Sequence, residues 1–69
     1  MSGMNLTVNS RACTLADGSK ISNLLASQKL DPAVVVVEVN KVIIAKEKYL
    51  TTALHDNDTV EILRFVGGG

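Results

Sequence analysis

The sequence is short of the residues that usually anchor a small core. It has no tryptophan, one tyrosine (Tyr49) and one phenylalanine (Phe65) among 69 residues. Any core must therefore be aliphatic. Aromatic rings are also the platforms on which unpaired bases stack, and here seven basic residues are cancelled by seven acidic ones. With almost no stacking groups and no net positive charge, nucleic acid is not expected as a partner. The single cysteine, Cys13, excludes an internal disulfide and fits a reducing compartment. The longest aliphatic run, Val34 to Val37, falls far short of the roughly 20 residues that cross a bilayer, so no membrane span is expected. No basic segment followed by an apolar stretch opens the chain, and the expected location is cytoplasmic.

Chemistry-bearing side chains are equally sparse. Cys13 falls at an inward strand parity with no basic neighbour, the pattern of a small buried residue rather than a nucleophile. The only histidine, His55, stands beside Asp56 and Asp58 in a polar segment. That segment reads as a turn, and no metal site is expected from it. Lys41, Lys46 and Lys48 read as a solvated basic face.

What the chain does have is aliphatic periodicity, with apolar residues at 46% of the total. That supports one small domain near the lower size limit for folding alone. Met4, Leu6 and Val8 alternate with polar residues as in a half-buried strand. Asn9-Ser10-Arg11 suits a hairpin turn, and Cys13 and Leu15 mark a second strand. Ile21, Leu24 and Leu25 follow at helical spacing, predicting one amphipathic helix that starts near Ser19 or Lys20, with Ser19 as its cap. Asp31-Pro32 is expected to end it. Val34 to Val39 is β-branched and reads as a largely buried strand. Asn40-Lys41 then makes a turn into a short strand, Val42-Ile43-Ile44. Tyr49, Leu50 and Leu54 are expected to anchor a loop with one helical turn. Thr59 to Arg64 alternates again as the last strand. The order is ββαβββ, an α+β mixed sheet of about five strands with one main helix on one face.

The chain ends Phe65-Val66-Gly67-Gly68-Gly69. Three glycines cannot pack a core, but they can thread a narrow channel and extend about 10 Å beyond the last side chain. Residues 1–3 are expected to add nothing to the fold, 4–66 to form the domain, and 67–69 to be a flexible, reactive tail. On the last strand Val60 and Ile62 share the parity of the helix-facing residues. Leu63 and Phe65 then fall on the opposite face beside Glu61, and with Val66 they offer a partner-binding patch.

Several segments together carry a resemblance. They are Val37-Glu38-Val39-Asn40, Ile43-Ile44-Ala45-Lys46 with Tyr49, Leu54, Asp58-Thr59-Val60-Glu61-Ile62, and Val66-Gly67-Gly68-Gly69. In order and spacing the chain resembles the ubiquitin-like β-grasp proteins, and more closely the ThiS sulfur carriers of thiamin thiazole biosynthesis. Ala45 and Lys46 depart from the family's usual proline and arginine, and Asn57 from a frequent glycine.

The resemblance implies a carrier, not an enzyme, whose reacting residue is Gly69. An E1-like adenylating partner of the ThiF type would consume MgATP to activate its carboxylate. A cysteine desulfurase system would supply sulfur, giving a C-terminal thiocarboxylate. A thiazole synthase of the ThiG type would accept that sulfur. No stably bound cofactor is expected on the carrier, and the free chain is expected to be a monomer. Other readings are a carrier like the small subunit of molybdopterin synthase, MoaD, or a β-grasp module or protein modifier without sulfur transfer.

Overall fold

The computed structural model describes residues 3–64. Strand β1, Gly3–Val8, buries Met4, Leu6 and Val8 and exposes the residues between. It pairs antiparallel with β2, Arg11–Ala16. The connecting turn is the dipeptide Asn9-Ser10, with φ of 51° and 68°. Both central residues are left-handed, the geometry that matches the twist of a two-residue hairpin. Arg11 belongs to the strand rather than to the turn. Gly3 is part of the fold, one residue ahead of the expected start. It sits opposite Ala16, and a Cβ there would lie 2.9 Å from the Leu15 carbonyl oxygen.

The helix α1, Ile21–Ser27, buries Ile21, Leu24 and Leu25. Its ends differ from the sequence expectation. Ser19 does not cap it; the Ser19 hydroxyl donates instead to the Ala16 carbonyl at 2.8 Å. The Lys20 amide donates to Asn23 Oδ1 at 2.8 Å. The amides of Ile21 and Ser22 donate to the carbonyls of Thr52 and Tyr49, at 3.1 and 3.0 Å. A distant loop thus satisfies donors that a helix start leaves open. At the other end α1 stops before Asp31-Pro32. Lys29 takes a left-handed φ of 59°, and the Leu30 amide donates to the Leu25 carbonyl at 2.9 Å. That is a Schellman closure with lysine in the usual glycine place. Asp31-Pro32 opens a 3₁₀ turn, Pro32–Val34, in which Asp31 Oδ1 accepts from the Ala33 amide at 2.9 Å. Val34 is therefore lost from the strand.

Strand β3, Val35–Val39, turns through Asn40-Lys41 into β4, Val42–Ile44. These turn residues have φ of 51° and 70°, a second hairpin of the same left-handed kind. A 3₁₀ turn over Lys46–Lys48 follows. Tyr49 and Leu54 are buried, but Leu50 is 74% exposed and anchors nothing. The last strand, β5, is Thr59–Arg64.

The sheet order is β2-β1-β5-β3-β4. β1 and β5 run parallel, while the other neighbours are antiparallel. The last strand in sequence is thus the central strand in space. Helix α1 packs its three aliphatics against Met4, Leu6, Val8, Val35, Val37, Val60 and Ile62, with Tyr49 and Leu54 closing the edge. Each fully buried aliphatic contributes roughly 1.5–3 kcal/mol relative to exposure. This is the α+β, β-grasp arrangement of five strands and one helix.

Candidate functional site

The candidate site is the stretch of β5 that leads to the glycine tail, together with the sheet face beside it. β5 is held from both sides. On one side, β3 pairs with it from Val39 opposite Val60 to Val35 opposite Arg64. On the other, β1 pairs only through Thr7 and Val8, opposite Thr59 and Val60.

Side chains extend what the backbone pairing leaves short. At the start of β5, Asn40 Oδ1 accepts from the Thr59 amide at 2.9 Å. The same side chain donates through Nδ2 to Asp58 Oδ1, also at 2.9 Å. Asp58 Oδ2 accepts from the His55 amide at 2.8 Å. Nearer the tail, Asn9 Oδ1 accepts from the Ile62 amide at 2.8 Å. The Asn9 amide itself donates to the Val60 carbonyl at 2.9 Å. Both hairpin turns flanking β5 therefore open with a left-handed asparagine whose oxygen takes a β5 amide.

Cross-strand partners lie on the same face of a sheet, which sorts the remaining side chains. Ile43 is opposite Glu38, Glu38 opposite Glu61, and Val36 opposite Leu63. Their neighbours in the strands, Val35, Val37, Val60 and Ile62, are buried under α1, so this set looks away from the helix. Ile43 is 66% and Leu63 52% exposed. Between them two carboxylates, Glu38 and Glu61, face each other directly, an arrangement that costs stability. The ion pair between described residues, His55 with Asp58, does not involve either of them.

Of the residues expected to form the site, Leu63 and Glu61 lie where parity put them. Phe65, Val66, Gly67, Gly68 and Gly69 lie outside the described residues. Cys13 is half-buried rather than fully covered, packing against the edge of the core. Asp56 and Asp58 spend oxygens on backbone amides, Asp56 Oδ1 accepting from Asn5 of β1 at 2.7 Å and Asp58 Oδ2 from His55. No group of three metal-ligating side chains occurs among the described residues. Lys46 is not simply solvated: its Nζ donates to the Val35 carbonyl at 2.8 Å, beside the Tyr49 hydroxyl, which donates to the same oxygen at 3.3 Å. No described helix is long and apolar enough to cross a membrane.

Sequence reasoning missed Glu38, Ile43 and Val36 as members of the open face, because register across strands is not written in any one strand. It also missed both asparagine contacts to β5. The available signal was the choice of Asn, rather than Gly, at both turns.

A model of the ThiS family matches residues 4–69. The chain belongs to the ThiS family. It is 51% identical over 53 residues to the sulfur carrier protein ThiS of Bacillus subtilis, covering 77% of this chain and 80% of that protein. The crystal structure of the thiamine biosynthesis protein ThiS from Geobacter metallireducens matches with a TM-score of 0.81 at 38% identity, covering 96% of this chain and 100% of that one. A third relative is a thiazole synthase of Paramagnetospirillum magneticum, 33% identical over 66 residues. There 96% of this chain corresponds to 20% of the relative, so the chain spans about a fifth of that longer protein. Ala45, where the resemblance to ThiS proteins calls for proline, has φ −66° and ψ 145°. A proline ring fixes φ at about −65°. The departure at Ala45 thus leaves φ where a proline would set it.

Proposed function

We propose that this chain is a sulfur carrier that presents the α-carboxylate of Gly69 for activation and then donates sulfur to the thiazole ring of thiamin. The carrying observation is the 51% identity to a Bacillus sulfur carrier. A sequence in which three glycines follow the central strand after only Phe65 and Val66 supports the reading.

The chemistry follows from the carboxylate's poor electrophilicity. An adenylating partner of the ThiF type, using MgATP, lets a Gly69 oxygen attack the α-phosphorus and release pyrophosphate. The resulting acyl-adenylate carries AMP as a good leaving group. Persulfide sulfur from a cysteine desulfurase system attacks the acyl carbon and expels AMP. A second thiol then cleaves the sulfur–sulfur bond and leaves the thiocarboxylate. A thiazole synthase of the ThiG type consumes it, and the synthase relative with a segment like this chain supports that pairing. The carrier supplies the reacting carboxylate, not an acid, base or metal. MgATP belongs to the partner. The docking residues are Leu63 and Glu61 on the open face together with Phe65 and Val66, which follow in the sequence, and the free carrier is a monomer in the cytoplasm.

The test is intact mass after incubation with the host's adenylating enzyme, MgATP and a persulfide donor. The expected result is a gain equal to one oxygen replaced by sulfur, absent when Gly69 is deleted. No gain, with both partners active on another carrier, contradicts the reading.

A further inference from the structure

The two asparagine contacts on β5 look alike but sit at different distances from the tail. Asn40 holds Thr59, the first residue of the strand. Asn9 holds Ile62, only two residues before Arg64 ends it. Backbone pairing with β1 has already stopped at Val60. Past that point β1 turns away into its hairpin, and the Asn9 side chain alone among the described hydrogen bonds continues the pairing on that side. An asparagine is not needed for the turn, since glycine adopts left-handed φ more freely. Its side chain is what glycine would lack.

We propose that Asn9 is a positioning residue for the tail. By taking the Ile62 amide, it fixes the direction in which β5 leaves the sheet and so where Gly69 is delivered in the partner's active site. This rests on the carrier reading. Leu63 and Glu61 are paired to Val36 and Glu38 of β3, on the side of β5 away from Asn9, so docking through the open face does not depend on Asn9. Loss of the contact therefore lowers the fraction of docked carriers whose carboxylate is aligned, which is a kcat effect.

The test compares three variants with the wild-type chain, using the adenylating enzyme, MgATP and the persulfide donor, with thermal unfolding measured in parallel. Asn9→Gly keeps the turn and removes the acceptor. It should lower kcat for sulfur gain about fivefold, the worth of one hydrogen bond, with KM for the carrier unchanged within about twofold. Asn40→Gly makes the same deletion at the far end of β5 and also removes the bond to Asp58. It should lose at least as much thermal stability while keeping the wild-type kcat. Asn9→Asp retains an acceptor oxygen and a left-handed turn and should restore kcat. Amide exchange at Ile62 should rise in Asn9→Gly and not in Asn9→Asp. A wild-type kcat in Asn9→Gly overturns the positioning role alone. Equal kcat losses in Asn9→Gly and Asn40→Gly reduce it to general stability. A wild-type chain that gains no sulfur overturns the carrier reading and this role with it.

Discussion

The two faces of the sheet are built from the same strands yet obey different rules. On the face under α1, Val35, Val37 and Val60 are completely buried, and Leu24 and Leu25 fill the space above them. The core positions on that face are all apolar and closely surrounded. On the other face Ile43 and Leu63 are more than half exposed, and two glutamates oppose each other with no cation bound to either among the described ion pairs. A sequence selected for stability alone would place neither feature there. The contrast teaches that folding is carried by one face and leaves the other, the proposed docking surface, open to solvent.

The comparison can be broken most severely at the helix. Leu24→Ala empties a fully buried site and should cost about 2–5 kcal/mol, read by urea or thermal unfolding. A smaller effect of opposite sign is expected at the seam between helix and sheet. Lys29 holds a left-handed conformation, so Lys29→Gly should stabilise by about 0.5–1 kcal/mol in the same assay. Truncation on the open face gives the counterpart to Leu24. Ile43→Ser should stay within about 0.5 kcal/mol of the parent, because little packing is lost. A loss as large as that of Leu24→Ala would erase the distinction between the faces. Smallest of all, Glu61→Gln should raise stability by a few tenths of a kcal/mol, by relieving repulsion with Glu38. If it weakens partner binding at the same time, the pair is retained for recognition.

Much of this was legible from residues alone. Period-two alternation in Met4 to Val8 and Thr59 to Arg64 marked the strands and their inward faces. The β-branched run marked β3, and Ile21-Leu24-Leu25 marked the helix, since all of these depend on local chemistry. The start of the helix is not legible because its partners are distant. Thr52 and Tyr49 supply the N-terminal acceptors, so Ser19 was free to bond Ala16. Lys29 accepted a conformation that its residue type disfavours, which ended the helix ahead of the proline. Hydropathy alone marks Leu50 as an anchor, although of the three only Tyr49 and Leu54 reach the core. In the site, parity placed Leu63 and Glu61 correctly. Glu38 and Ile43 joined them only once strand register was known, because cross-strand neighbours are set by pairing and not by sequence distance.

The most direct test of the central claim, that the open face serves recognition and not folding, is a paired measurement on Leu63→Asp. Thermal unfolding and calorimetric titration with the adenylating enzyme would be run on the same preparation. The account predicts an unfolding midpoint close to the parent's together with binding weakened at least about tenfold, the loss expected for an apolar anchor. A midpoint lowered as far as that of Leu24→Ala, or binding equal to the parent's, would contradict it.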